Sequence, residues 1–389
     1  MNNKIEIRDE EILLLGLCRL SFSAELTVML RALAETISDW QYFYSLANSH
    51  GVASLVYNNL EKLGFLQYLP DDITGSLYNS LMVNIARNVM NTRATADVLR
   101  LLKNQRIKIV LLKGLALESM VYGNKGLRQM TDVDVLASRL DCLRAREELI
   151  NNGFESLPLK SALYKPIIEY TGKHLPTLIR NGFAIELHHE LFGARQNVLT
   201  KMLYETSSET DLNGEKTFVP QPQIFFLYLV KHLYLHEMNN ESQLRLYTDL
   251  VVLIEKFRNQ IINQNLITHA VDAGMAEVLA WRLEPLRDLW GISFPEWLND
   301  FINKWYNPAS INRFVFFLKS PKGNPPLNKP LVYRNAIRDI PGLHRKMLYV
   351  LGDIFPTVKF MKKRYHCRSS LQAIFYYPVR LGKLFLLFP

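Results

Sequence analysis

The sequence predicts an α+β protein in which a small mixed α/β core is flanked by N-terminal and C-terminal helical units. Three observations carry that reading. The apolar period shortens near residue 107, Asn181-Gly182 sits between two apolar runs, and 48% of the 389 residues are hydrophobic, enough to bury a sizeable interior. At this length the chain is expected to form more than one packed unit.

Residues 1–104 read as the N-terminal helical unit, because apolar positions recur at three- and four-residue spacing through "SAELTVMLRALAETI" and "SLYNSLMVNIARNVMNTRATADVLRLLKNQ". "SDWQYFYSLANSHGV" predicts a helix capped by Ser38 or Asp39 and stopped near Gly51. From residue 105, "IKIVLLKG" gives a short β-branched strand ended by glycine, "LALESMVYG" a helix, and "VDVLA" a second strand. "RLDCLRAREELINNGF" is an amphipathic helix closed by Gly153, and "HLPTLIRNGFAIELHHEL" a hairpin turned at Asn181-Gly182. These segments define a core over 105–218. Helical periodicity returns over 219–318, and residues 319–389 form a basic C-terminal helical tail entered through the Pro/Gly/Lys-rich stretch 320–330, "SPKGNPPLNKP".

The net charge of +9 is concentrated in that tail, where residues 311–389 hold 15 Lys and Arg against Asp339 and Asp353. A solvated surface, a nucleic-acid track through "KFMKKRYHCRS" and an anionic membrane contact all stay open for it. Three scattered cysteines without CxxC spacing exclude a disulfide framework or zinc ribbon and fit a reducing cytoplasm. The N-terminus lacks the basic region of a signal peptide, and Lys231, His232 and His236 interrupt the longest apolar run, "IFFLYLVKHLYLH", so no membrane span is expected. Neither GxGxxG nor a Ser/His/Asp arrangement is readable.

"LRQMTDVDVLA" places Asp132 and Asp134 one residue apart in an apolar run. Alternation on a strand points both carboxylates to one face, where their repulsion is relieved by a divalent cation or by water on a solvated face. Oxygen-only ligation suits Mg²⁺ (or Mn²⁺). Lys113-Gly114 follows the first strand, as a phosphate-approaching backbone would, and Arg128 precedes the aspartates. "AIELHHEL" sets Glu186 and His188 on one face and offers a third carboxylate. His232 and His236 have helical i, i+4 spacing, which fits a shared metal, an interdomain lining or a substrate contact. Arg245 and Asp249, also at i, i+4, are most simply an ion pair and otherwise part of a substrate pocket.

"LLKGLAL", "GLRQMTDVDVL", "IELHHEL" and "KHLYLHEMNNESQLRLYTDLVVL", in that order, resemble the uncharacterised nucleotidyltransferases of the DNA polymerase β-like superfamily. The resemblance covers about residues 80–310. It implies that Asp132 and Asp134 ligate Mg²⁺, that Glu186 is the third carboxylate, and that Gly114 belongs to the phosphate loop. It departs from the superfamily in having Lys113-Gly114 in place of Gly-Ser and 18 positions between Gly114 and Asp132. The expected activity is Mg-dependent transfer of a nucleoside monophosphate from an NTP to an acceptor, with a small molecule, a peptide or protein, and RNA all open. A non-catalytic binding protein that uses its basic tail is the alternative. Oligomeric state is not legible.

Overall fold

The computed structural model describes residues 7–385 except 124–125, 194–197, 239–242, 320–332, 335 and 339. The stretch read as a connector, 320–330, lies outside the described residues. The fold is α+β. Helices flank a small mixed sheet whose seven strands follow the order β3-β4-β5-β2-β1-β7-β6, where β1 is Val110–Leu111, β2 Val133–Leu136, β3 Glu155–Ser156, β4 Leu178–Arg180, β5 Phe183–His188, β6 Ser208–Leu212 and β7 Glu215–Val219.

Local sequence chemistry accounts for many of these boundaries. The β4/β5 hairpin pairs Arg180 with Phe183, and Asn181 and Gly182 adopt φ of 50° and 80°, the left-handed pair that a two-residue hairpin turn demands. Asp39 caps the helix Trp40–Ser49 (α3) by accepting from the Tyr42 amide at 2.9 Å. Ser138 likewise caps Arg139–Asn151 through the Asp141 amide. A second hairpin, β6/β7, turns at Asn213-Gly214 and was not expected. Its strands carry "SETDL" and "EKTFV", whose charges hide the apolar alternation yet suit a pair at the end of the strand order.

The chain divides into two compact units. The first comprises Met1–Ala96, Leu111–Val133 and Glu205–Pro326. At its centre the helix Pro222–Met238 buries every residue from Gln223 to Val230, as an all-round apolar helix must, and this explains the long apolar run there. No described helix is long and apolar enough to cross a membrane. Tyr247, on the helix Leu244–Ile261, packs against Phe314 and Trp290 with ring centroids 4.8 and 5.9 Å away. His50 ties this unit across the chain: its Nδ1 accepts from the Leu244 amide at 3.0 Å, so Nε2 carries the proton and donates to the Leu318 carbonyl at 2.8 Å.

The second unit comprises Asp97–Val110, Asp134–Tyr204 and Leu327–Pro389. Its basic tail is helical over Leu343–Ile354, Val358–Arg364 and Tyr376–Phe385 and has a small core of its own around Met361, Cys367 and Ala373. The tail is fastened to residues 160–164. Buried Asp353 accepts from Tyr164 Oη and pairs with Lys160, the Thr357 amide donates to the Lys160 carbonyl at 2.8 Å, and Tyr164 stacks on Tyr349. A Cβ at Gly352 would lie 2.2 Å from the Tyr164 ring, so only glycine permits that approach.

Two outcomes follow from these contacts. In an exposed helix Gly→Ala stabilises by about 1 kcal/mol. Gly352→Ala is instead expected to destabilise the tail by about 1–3 kcal/mol through overpacking, seen as faster proteolysis after residue 340. Burial lowers the His50 pKa from 6.5 to about 4, overriding the bond to the Leu318 carbonyl, so the unfolded chain takes up a proton that the folded chain refuses. That contribution is complete above pH 6.5 and is lost as pH falls toward 4, by about 3 kcal/mol. Urea midpoints across this range should fall, and His50→Gln should flatten the slope.

Candidate active site

In the second unit, the end of β2 meets the end of β5, where the Ala137 amide donates to the His188 carbonyl at 3.0 Å. All four residues of β2 are buried, so Asp134 does not occupy a solvated strand face. Its side chain is 4% exposed, and Oδ1 takes a 2.7 Å bond from Nε2 of His188, which is fully buried. Two residues earlier on β5, on the same face, Glu186 Oε2 lies 3.4 Å from that nitrogen. The ligand atoms of Asp134, Glu186 and His188 all lie within 4.8 Å of one another. Thr177 Oγ1 donates to the other Glu186 oxygen at 3.2 Å, and His174 Nε2 approaches Oε2 at 3.5 Å.

Burial works against ionising Glu186, but the hydrogen bond with His188 and the proximity of His174 outweigh it, and its pKa falls below the ordinary carboxylate value. Glu186 is therefore an anion at neutral pH, better suited to holding a cation than to taking up a proton. His174 is pushed toward its neutral form by burial and by His188. Burial and the charge of Arg139 lower the pKa of neighbouring His189 to about 3, and neither of its ring nitrogens has a hydrogen-bond partner among the described residues.

The other residues singled out from the sequence lie in the first unit, apart from His188. Lys113 adopts φ of 44°, a left-handed conformation costly for a side-chain-bearing residue, and it immediately precedes Gly114. A Cβ on Gly114 would lie 2.6 Å from both Arg128 Nη1 and Met130 Cγ, so any larger residue there must displace one of these side chains. Buried Arg128 presents Nε and Nη2 to the two oxygens of Asp249, each at 2.8 Å, and Tyr122 Oη adds a third bond at 3.1 Å. The expected Arg245–Asp249 ion pair is thus corrected: Asp249 takes the guanidinium of Arg128. Arg245 instead donates from Nη1 to the Gln129 carbonyl at 2.6 Å and from Nη2 to Gln243. Burial and the charge of Arg128 bring the Arg245 pKa down to about 10, while Asp249 and Asp132 act in the opposite direction. Asp132 itself precedes β2 and accepts from Thr131 Oγ1 at 3.0 Å. His232 and His236 pack edge to face at 4.4 Å and belong to no three-residue metal cluster among the described residues.

A family described as uncharacterised nucleotidyltransferase matches residues 37–290, which include every one of these side chains. The chain belongs to this family. No curated protein matches it. In this nucleotidyltransferase family member, the segment from α3 through Asp249 contains both the Asp134 cluster and the Arg128 pair, while the basic tail lies beyond the match. Sequence reasoning passed over His174, which pairs with His188 across an isolated bridge, because a lone histidine before the hairpin gives no signal. It also passed over Asn88 and Glu118, a buried bonded pair, because both sit on segments that read as ordinary helix.

Asp249→Asn keeps the shape of that side chain but leaves the Arg128 cation unpaired. The expected loss is about 3–5 kcal/mol of unfolding free energy in guanidinium titration. A loss below about 1 kcal/mol would show that the pair is replaceable.

Proposed function

We propose that the protein transfers a nucleoside monophosphate from an NTP to an acceptor hydroxyl or phosphate, using a divalent cation held by Asp134, Glu186 and His188, with Asp132 as a further carboxylate. The observation that supports this most directly is the convergence of two carboxylates and an imidazole within 4.8 Å in a member of a nucleotidyltransferase family. The donor set fits such an ion. Small side-chain rotations bring that span to the roughly 4.3 Å that ligands at about 2.1–2.2 Å impose across one centre. The carboxylates suit Mg²⁺ or Mn²⁺, and the imidazole favours Mn²⁺ of the two.

When bound, the cation supplies charge neutralisation on the phosphates and makes the attacking hydroxyl more acidic. The residues do the rest. Glu186, anionic at neutral pH, is a ligand, and His188 joins it once Nε2 gives up the proton it shares with Asp134 at 2.7 Å. Lys113 and the amide of Gly114 meet phosphate oxygens, and Arg128 contributes through Nη1, the atom beside Gly114, while Asp249 fixes its other edge. Arg245, Asp249, His232 and His236 border the substrate region. The three buried free thiols suit a reducing cytoplasm.

A second reading, a non-catalytic binding protein, is favoured by one feature of the tail. Lys359, Lys363, Arg364, His366 and Phe360 line a cavity of about 740 Å³ that would accept an anionic partner.

The two readings separate on incubation with each α-labelled NTP, Mn²⁺ or Mg²⁺ and a metabolite extract. Asp134→Asn is expected to reduce label transfer at least 100-fold and to weaken Mn²⁺ binding in calorimetry at least tenfold, with unchanged circular dichroism. Equal Mn²⁺ binding by wild type and variant, together with no Asp134-dependent pyrophosphate release, would sink the catalytic reading.

A further inference from the structure

One face of the long helix Asp71–Leu102 (α5) is polar and only partly covered, with Asn84 buried at its centre. Ser76, Asn79, Ser80, Val83, Asn84 and Arg87 recur at the spacing of an apolar core stripe, yet only Val83 is apolar. An apolar stripe at these positions would close against its neighbours. Instead the six side chains line a cavity of about 370 Å³, whose remaining lining includes Tyr44 and Asn48 of α3, Gly51, Ser54 and Gln129.

The lining is built, not merely wet. Ser54 and Asn84 are buried, and Asn84 Nδ2 donates to Ser54 Oγ at 2.7 Å. Gly51, at φ of 69°, leaves room for Gln129, since a Cβ there would lie 2.6 Å from Gln129 Oε1. Arg245 holds the Gln129 backbone through its carbonyl. Gln129 stands three residues before Asp132 on the same segment.

We infer that this cavity is the acceptor site and that the acceptor is a compact polyhydroxylated molecule carrying one anionic group, a sugar phosphate by class; the assignment rests on the transferase reading. Hydroxyl and amide side chains both donate and accept, which matches the alternating donors and acceptors of a polyol. Arg87 is the cation of the lining, no carboxylate contributes to it, and the Arg87 guanidinium has no hydrogen-bond or ion-pair partner among the described residues. One unmatched cation calls for one anionic group. A triphosphate would bring further negative charges without partners, which separates this cavity from the NTP site. Its volume lies at the lower end of ligand pockets, about 300–1,000 Å³, too small for a folded peptide or RNA end.

The test is calorimetric titration of the full chain, without nucleotide or metal, against hexose and pentose monophosphates, the matching free sugars and inorganic phosphate. At least one sugar phosphate is expected to bind at least tenfold more tightly than both its free sugar and inorganic phosphate. Arg87→Gln should weaken that binding at least tenfold and exposed Asn79→Ala at least threefold, while Asp134→Asn leaves it unchanged. Thermal unfolding of each variant at the wild-type temperature shows that folding is retained. Absence of sugar-phosphate binding, equal binding of inorganic phosphate, or wild-type affinity in Arg87→Gln each overturns the assignment. Because Mn²⁺ binding and label transfer are read separately through Asp134→Asn, failure here is distinct from failure of the catalytic reading.

Discussion

The buried pair between Arg128 and Asp249 is the constraint on which the first unit's segment 127–132 depends. Both charges are removed from water, and the paired 2.8 Å bonds with the added Tyr122 hydroxyl do little more than repay that desolvation. What the pair supplies is position. The Arg128 carbonyl is also fixed, by Asn88 Nδ2 at 2.9 Å, so residue 128 is held at its backbone and at its guanidinium. Gly114 packs beneath Nη1, the Gln129 carbonyl accepts from Arg245, and Asp132 follows three residues later. Stability comes from elsewhere in the unit, from the helix Pro222–Met238, buried throughout Gln223–Val230, and the aromatic cluster around Tyr247. Apolar packing supports the unit, and the ion pair orients the segment that matters.

The second unit solves a similar problem with a different group. Asp134 sits on a strand whose residues are all enclosed, and its charge is met by an imidazole instead of a guanidinium. Histidine is the more changeable partner: it can give up its Nε2 proton and present a lone pair, which Arg128 cannot do for Asp249. One buried carboxylate is therefore locked into a structural role, and the other retains access to ligand chemistry.

What was legible in the sequence follows from the range of the forces involved. The Asn181-Gly182 turn, the Asp39 cap and the stop at Gly51 are local choices of backbone conformation, and each can be read within five residues. Asp134 and Glu186 stood out because charge in an apolar strand is locally anomalous, and the fold brings them within 4.8 Å of each other. The partner of Asp249 was not legible. Helical i, i+4 spacing offered Arg245, whereas the fold supplied Arg128 from 121 residues away, and bidentate geometry in a desolvated site outweighs proximity on a helix surface. The β6/β7 hairpin escaped for the opposite reason: its Asn213-Gly214 turn is as strong a signal as the first, but the charges of its strands hide their apolar alternation.

The same logic bears on the sites proposed for this chain. A periodic pattern is the cheapest way to specify a helix or strand, and each place where this sequence breaks its own pattern costs burial energy that packing elsewhere must offset. Two of those breaks lie at the sites proposed above: Asp134 within β2, and the polar stripe of α5 around the cavity at Gln129. A third, Gly352 in a tail helix, coincides instead with an aromatic contact that fastens the tail. Departure from pattern therefore does not by itself mark a site. The distinction is what the departing group meets: Gly352 meets a ring that fills its space, whereas Arg87 faces a cavity whose lining holds no opposing charge.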